Sequence, residues 1–280
     1  MPELPEVETI ARGVDARVRG ARIVAAWFSH YPQPMKTPPA EQERALAGCW
    51  FVTAHRVGKH LVCDLAQRQP NAATPNPVTF QWIVHLGMTG RLLVTHAETP
   101  VAAHTHARLT LADGREVRFV DARRFGRLEL LDLRQVAPFS GPGSEPLTIS
   151  REDFARLFRA RRTSIKAALL DQSLLQGVGN IYADESLFRA GIRPHKIAAR
   201  LTHSRLEQLR LALREVLVQA IELGGSSVSD YVDANGVKGF FQLEHRVYAR
   251  GGQPCRVCGE SIRRINLAGR GTHFCPCCQR

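Results

Sequence analysis

Four of the seven cysteines decide what the C-terminal end of this chain can become. Cys255-x2-Cys258 and Cys275-x2-Cys278 are tight pairs with sixteen residues between them. At that spacing two chain reversals each deliver two thiolates to one tetrahedral metal. Thiolate softness and a closed set of four select zinc, held structurally with no position left open for catalysis. Two disulfides or unligated core thiols are the competing readings. An odd total of seven, at 49, 63, 255, 258, 275, 277 and 278, argues instead for a reducing compartment. Cys277 offers a ligand in the wrong register, and Cys275 with Cys278 keeps the two-residue spacing. Between the pairs, Gly269-Arg270-Gly271-Thr272 reads as a hairpin tip whose glycines let Arg270 approach a backbone closely, or as a solvated turn.

The rest of the 280 residues is 44% hydrophobic, enough for one large or two smaller cores. No run approaches about 18 apolar residues, which excludes a membrane helix. The first residues carry acids rather than a basic leader, so no secretory signal is expected. A net charge of +12 and a pI near 10.0 point to polyanionic partners. The charge is uneven: residues 1–150 hold 17 basic and 14 acidic side chains, residues 151–280 hold 21 and 12. Arginines outnumber lysines 33 to 5. Genomic bias accounts for an arginine preference but not for the asymmetry, whereas bidentate phosphate binding accounts for both.

Along the chain, an amphipathic helix is expected over residues 6–18. Short strand-like runs follow at 22–28, 61–65, 80–84, 107–111, 116–120 and 128–133, with Asp113-Gly114 as a type I′ turn. Residues 31–39 and 69–77 read as surface loops. This punctuation predicts a sandwich or barrel. Residues 138–146, rich in proline and glycine, mark a boundary. Helical periodicity then predicts helices at 151–161, capped by Ser150, and at 164–175, 181–190 and 202–223, the last stopped by Gly224-Gly225. The expected architecture is α+β and multidomain: an N-terminal β-sandwich with a flanking N-terminal helix, a helical domain, and a zinc finger on a β-hairpin. The divisions are 1–135, a linker 136–150, 151–240 and 241–280.

Two further segments carry chemistry. Gly177-Val178-Gly179-Asn180 joins two helical patterns, leaving N–H groups outward at a helix start that Asn180 could cap, either for packing or for phosphate. At the N-terminus, removal of Met1 would expose Pro2 as a secondary amine. An α-amino group titrates near about 7.7–8.0, so part of it is neutral and nucleophilic at physiological pH. Attack on an aldehyde-level carbon gives a cationic iminium, with Glu3 beside it as a proton carrier. A frayed terminus is the plain alternative.

The segment Met1-Pro2-Glu3-Leu4-Pro5-Glu6-Val7-Glu8-Thr9 resembles the start of the bacterial formamidopyrimidine-DNA (8-oxoguanine) glycosylases. The resemblance continues through Lys59 in Val57-Gly58-Lys59-His60-Leu61, His85-Leu86-Gly87-Met88-Thr89-Gly90 and Asp121-Ala122-Arg123-Arg124-Phe125-Gly126. Gly177 to Tyr182 and Thr272-His273-Phe274-Cys275-Pro276 complete it, in family order over essentially the whole chain. It implies a β-sandwich, a helix–two-turn–helix domain with a lesion-recognition loop at 226–239, and a zinc finger.

It also implies roles. Pro2 attacks C1′ of the damaged nucleotide, Glu3 acts as acid in base release, Lys59 assists β-elimination, and Arg270 serves δ-elimination and holds phosphate. Met88, Arg123 and Phe125 fill the void left by an extruded base. From the residues alone, Met88 and Phe125 could equally be core. His104, Arg161 and Asn180 contact phosphates, while Tyr182 and Glu185 fall near the pocket. The implied protein is a bifunctional glycosylase and abasic-site lyase of base excision repair, acting on double-stranded DNA with oxidised purines. It is expected to be a monomer in the bacterial cytoplasm, associated with the nucleoid and with no membrane. Two readings compete: a sister enzyme for oxidised pyrimidines, disfavoured by Leu4 and by Arg123-Arg124-Phe125, and a non-catalytic zinc-containing DNA-binding protein. Two departures from the family pattern stand out, Ser226-Ser227-Val228-Ser229 where relatives often carry a lysine, and Gly58 beside Lys59.

Overall fold

The first helix begins where the sequence supplies its own cap. In the computed structural model, which describes residues 1–69, 78–227 and 239–280, α1 spans Leu4–Val18 with Glu3 at its N-cap and Glu6 closing a capping box. Proline in the first turn costs nothing there, because that N–H would have no helical partner. The inward stripe of Val7, Ile10, Val14 and Val18 is fully buried.

The described residues divide into two units, Met1–Ser140 with Ser226–Gly239, and Gly141–Gly225 with Phe240–Arg280. In the first, two four-stranded antiparallel sheets make the sandwich. One orders its strands β1 (Ile23–Phe28), β6 (Thr105–Leu111), β7 (Arg115–Val120) and β5 (Arg91–His96). The other orders β2 (Trp50–Val57), β3 (His60–Ala66), β4 (Phe80–His85) and β8 (Arg127–Asp132). A short helix, α2 (Pro39–Leu46), packs on β1, and α1 packs against strands of both sheets. Phe51, Trp82, Phe119 and Leu128 join the α1 stripe in one continuous core.

Three elements escaped the sequence reading: β2, β5 and α2. Of these, β2 is only partly buried along most of its length, and its mixed pattern of Thr53, His55 and Arg56 hides the period of two. Asp113-Gly114 does not make the type I′ turn expected. Of its two residues only Gly114 has positive φ, at 83°, and the Gly114 N–H bonds Leu111 O, so the reversal has three residues with a left-handed glycine. Residues 70–77, most of one expected loop, lie outside the described residues.

In the second unit α3 (Arg151–Arg159), α4 (Ile165–Leu170), α5 (Asn180–Arg189) and α6 (His203–Glu222) pack mainly through α5 and α6. Ser150 caps α3 by accepting the Asp153 N–H. The helix expected over 164–175 stops at Leu170, because Asp171 Oδ1 captures the Ser173 N–H at 2.9 Å and turns the chain. A β-hairpin, β9 (Arg263–Leu267) and β10 (Arg270–Phe274), follows near the C-terminal end.

Helix α6 ends in a Schellman motif: Gly225 N–H bonds Ala220 O at 2.7 Å, Gly224 N–H bonds Ile221 O at 3.0 Å, and Gly224 sits at φ 73°. Gly224→Ala forces a β-carbon into left-handed backbone. It is expected to cost about 1–2 kcal/mol in urea unfolding, with the slope of the transition unchanged.

Candidate functional site

At the N-terminus, Pro2 is buried and Glu3 is 5% exposed. The carboxylate of Glu6, 2% exposed, accepts the Glu3 N–H at 2.8 Å and the Ser226 N–H at 2.7 Å. One buried side chain thus fixes both the start of α1 and the start of the 226–239 segment. Nothing in the sequence reading singled out Glu6, although the three-residue interval from Glu3 was the signal. Ser227 Oγ accepts the Gly239 N–H at 2.9 Å, closing the stem of that segment, whose residues 228–238 lie outside those described.

Lys59 sits on the two-residue turn between β2 and β3. Gly58 precedes it at φ 59°, the conformation a type II′ hairpin demands at its first position, which accounts for glycine here. Arg56, next to the turn, pairs with Glu8 of α1 at 3.0 Å, so the lysine turn and the Pro2 helix are joined by one ion pair.

At the open ends of β3 and β4 the rings of His60 and His85 lie 5.0 Å apart, and Phe139 packs edge-on against His60. Burial pushes the His85 imidazole down to about 4, helped by the positive charges of His60, Lys59 and Arg127. Its Nδ1 accepts the Gly87 N–H at 3.2 Å. Neutral His85 therefore presents its other ring nitrogen as a donor.

Met88 and Phe125 are surface residues, 44% and 49% exposed. They ride on two turns that glycine locks together: a β-carbon on Gly87 would lie 2.5 Å from the Phe125 carbonyl carbon, and one on Gly90 only 2.1 Å from Leu86 O. Asp121, fully buried, accepts from Thr89 Oγ1 (2.6 Å), Arg123 N (3.3 Å) and Gly126 N (2.8 Å). The Arg123 guanidinium lies 4.7 Å above the Phe125 ring. His104 joins this assembly through its carbonyl, which accepts the Asp121 N–H, and it holds a left-handed φ of 63°.

In the second unit, Arg161 is exposed after α3. Gly179, not Asn180, occupies the N-cap of α5. Asn180 instead donates Nδ2 to Gly271 O at 3.0 Å, which links the helix start to β10. Gln172 closes the preceding turn from both sides, accepting Gly177 N–H and donating to Val178 O. Arg270 follows a two-residue turn, Ala268 and Gly269, both with positive φ, and is exposed. Tyr182 is fully buried against Phe241, and Glu185 accepts the N–H groups of Arg246, Val247 and Tyr248. Burial raises the Glu185 carboxyl above its ordinary range against those donors.

The Sγ atoms of Cys255, Cys258, Cys275 and Cys278 all lie within 4.8 Å of one another, at 3.9 Å for 255–278 and 3.5 Å for 258–275. A tetrahedron with Zn–S near 2.3 Å has an edge of about 3.8 Å, so the set fits zinc. Val257 N–H and Cys278 N–H point at Cys255 Sγ and Cys275 Sγ, as thiolate acceptors require. Cys277 is exposed and outside the cluster.

Two measurements follow from this geometry. Metal analysis is expected to give one zinc per chain, lost in Cys258→Ser and kept in Cys277→Ser. The second concerns acid. His85 and His245 are both held down to about 4, against an ordinary 6.5. The unfolded chain therefore takes up protons that the folded one refuses, and stability present above pH 6.5 is lost as pH falls toward 4. Thermal melts should drop across that window, and the NMR signal of His85 should stay that of the neutral ring through most of it, titrating only near its lower end.

Three family descriptions match the chain in order: the formamidopyrimidine-DNA glycosylase N-terminal domain over residues 1–128, its H2TH domain over 141–232, and the zinc finger found in FPG and IleRS over 252–280. A formamidopyrimidine-DNA glycosylase of Solibacter usitatus is 44% identical across the full length of both chains. Among solved structures, a Lactococcus lactis FPG mutant in complex with a Fapy-dG containing DNA superposes with a TM-score of 0.88 at 34% identity, covering 100% of both chains. Wild-type Lactococcus lactis FPG in complex with an oxidised-pyrimidine containing DNA gives 0.86 at 34%, again over 100% of both. With all three parts matched, in sequence and in backbone, the chain belongs to the formamidopyrimidine-DNA glycosylase family.

Proposed function

We propose that this chain excises oxidised purines from duplex DNA and then cuts the strand, using Pro2 as nucleophile. The observation that carries the reading is the build of the N-terminus. Pro2 and Glu3 are buried at a helix start that Glu6 holds rigid, where a chain end without a task would fray.

With Met1 removed, the Pro2 nitrogen attacks C1′ and the C1′–N bond to the base breaks. The electron pair leaves with the base, which takes a proton from Glu3 or through it. The proline nitrogen then gives up its proton, and its lone pair expels O4′ by breaking C1′–O4′. O4′ takes a proton by way of Glu3, leaving an opened sugar with an iminium on Pro2. That cation acidifies C2′–H. Loss of this proton, assisted by Lys59, expels the 3′-phosphate. The new C2′=C3′ bond is conjugated to the iminium and acidifies C4′–H, so a second elimination expels the 5′-phosphate, with Arg270 as acid and phosphate contact. Water then hydrolyses the iminium and releases Pro2. The product is a one-nucleotide gap.

Base removal requires extrusion from the stack. Met88 and Phe125 offer thioether and ring surface for the vacancy, and Arg123 offers donors to the orphaned opposite base. Their exposure on locked turns supports this over a core role. His104, Arg161 and Asn180 supply phosphate contacts, and the amide of Asn180 keeps a second N–H beyond the one given to Gly271. In this reading residues 1–135 carry Pro2, Glu3 and Lys59, 151–240 bind DNA and grip the lesion, and 241–280 hold zinc and present Arg270. The enzyme works on the bacterial nucleoid in the cytoplasm. The oxidised-pyrimidine complex of the Lactococcus lactis relative makes such lesions a second substrate class to measure.

Borohydride added to protein and an 8-oxoguanine duplex is expected to trap a covalent adduct that peptide mapping places on Pro2. Pro2→Gly, which replaces the secondary amine with a primary one, should sharply slow adduct formation while salt-dependent duplex affinity stays close to wild type. An adduct on a lysine, or none with either lesion class, would refute the mechanism.

A further inference from the structure

Lys166 is fully buried, an expensive place for an ammonium group. It pairs with Asp184 Oδ1 at 2.7 Å, itself completely enclosed. The same ammonium donates to Thr272 Oγ1 at 2.8 Å and to Gly271 O at 3.2 Å. The Thr272 hydroxyl passes the connection on, donating to Arg270 O at 3.1 Å. From the other side Asp184 Oδ2 accepts the His273 N–H at 2.9 Å, and Asn180 Nδ2 donates to Gly271 O. Four successive residues, 270 to 273, are thus tied to α4 and α5 by one buried polar knot.

The knot is not needed to make the metal site. None of its groups belongs to the four cysteines, and zinc pins the hairpin only at the far end of β10, where Cys275 follows Phe274. Two five-residue strands around a tight turn are marginal by themselves, so without a second anchor the end bearing Arg270 would fray. The knot supplies that anchor and leaves the Arg270 side chain itself exposed.

We propose that Thr272, Lys166 and Asp184 are positioning residues for Arg270, setting the efficiency of the second elimination rather than of base excision. This rests on the reading of Arg270 given above. A misplacement of about 1 Å at a reacting centre costs up to about 100-fold in rate, so slackening one link should be visible.

The test is the ratio of δ- to β-elimination product from a duplex with one abasic site, for full-length, zinc-loaded wild type, Thr272→Val, Thr272→Ser, Lys166→Met and Arg270→Ala. Zinc content and Pro2 trapping are measured on each. Thr272→Val keeps the shape and removes only the hydroxyl link. It is expected to retain zinc and trapping rate while the δ:β ratio falls several-fold, with Thr272→Ser restoring the ratio and Lys166→Met lowering it further. A wild-type ratio in Thr272→Val, beside a lowered one in Arg270→Ala, overturns the inference alone. So does a Thr272→Val protein whose trapping and δ product decline in proportion. Absence of trapping in wild type, or an unchanged ratio in Arg270→Ala, overturns the reading of the site and the inference with it.

Discussion

A buried carboxylate is tolerable only when its oxygens are met by donors, and main-chain N–H groups are the nearest supply. This protein uses that constraint repeatedly among the described residues. Glu6 gathers the N–H groups of residues 3 and 226, Asp121 those of 123 and 126, Asp184 that of 273, and Glu185 those of 246, 247 and 248. Each carboxylate belongs to or adjoins a regular element; the donors of Glu6, Asp121 and Glu185 lie in turns, loops or a chain end, and that of Asp184 lies in strand β10. Withdrawing either partner leaves a buried polar group unmet, at roughly 1–3 kcal/mol or more. The irregular segments are held by that penalty, without having to bury apolar surface of their own.

This division explains how residues with so little packing of their own can be well placed. Met88, Arg123 and Phe125 stand in solvent, yet the backbone under them is fixed by Asp121 and by glycines that no side chain could replace without collision. Lys59 is half-buried on a two-residue turn whose neighbour Arg56 is tied to α1. Each side chain keeps its own rotamer freedom, but its root is rigid. Such preorganisation lowers the entropic cost of binding and of reaching a reactive geometry.

The sequence made the chemistry-bearing residue types easier to see than their supports. Cysteine spacing identified the metal cluster because four thiolates at that interval have few other uses. Helix ends at Ser150 and Gly224-Gly225 were legible because caps are local. The supporting carboxylates were not, since burial of Asp121 or Asp184 is decided by segments far apart in the chain, and an aspartate reads as surface by default. The same reason hid β2, which is partly buried along most of its length and carries His55 and Arg56 on opposite faces, and misassigned Asp113-Gly114, where a turn of three residues and one of two share the same dipeptide. Asn180 shows the limit most clearly. It stands at a helix start, where it reads as a cap, and its amide is spent on β10, ninety-one residues away.

The net charge acquires a structural sense from this arrangement. Many arginines are engaged locally: Arg108 and Arg118 with Glu116, Arg210 with Glu207, and Arg193 with the carbonyls of Pro276 and Gln279. The exposed cations at the functional turns, Arg123, Arg161 and Arg270, have no carboxylate within ion-pair distance among the described residues. A guanidinium left without an internal anion keeps its full attraction for an external one, and phosphate is the anion its fork fits. The surplus of twelve positive charges therefore matters less as a total than through where the arginines without such partners stand, these three among them at the functional turns.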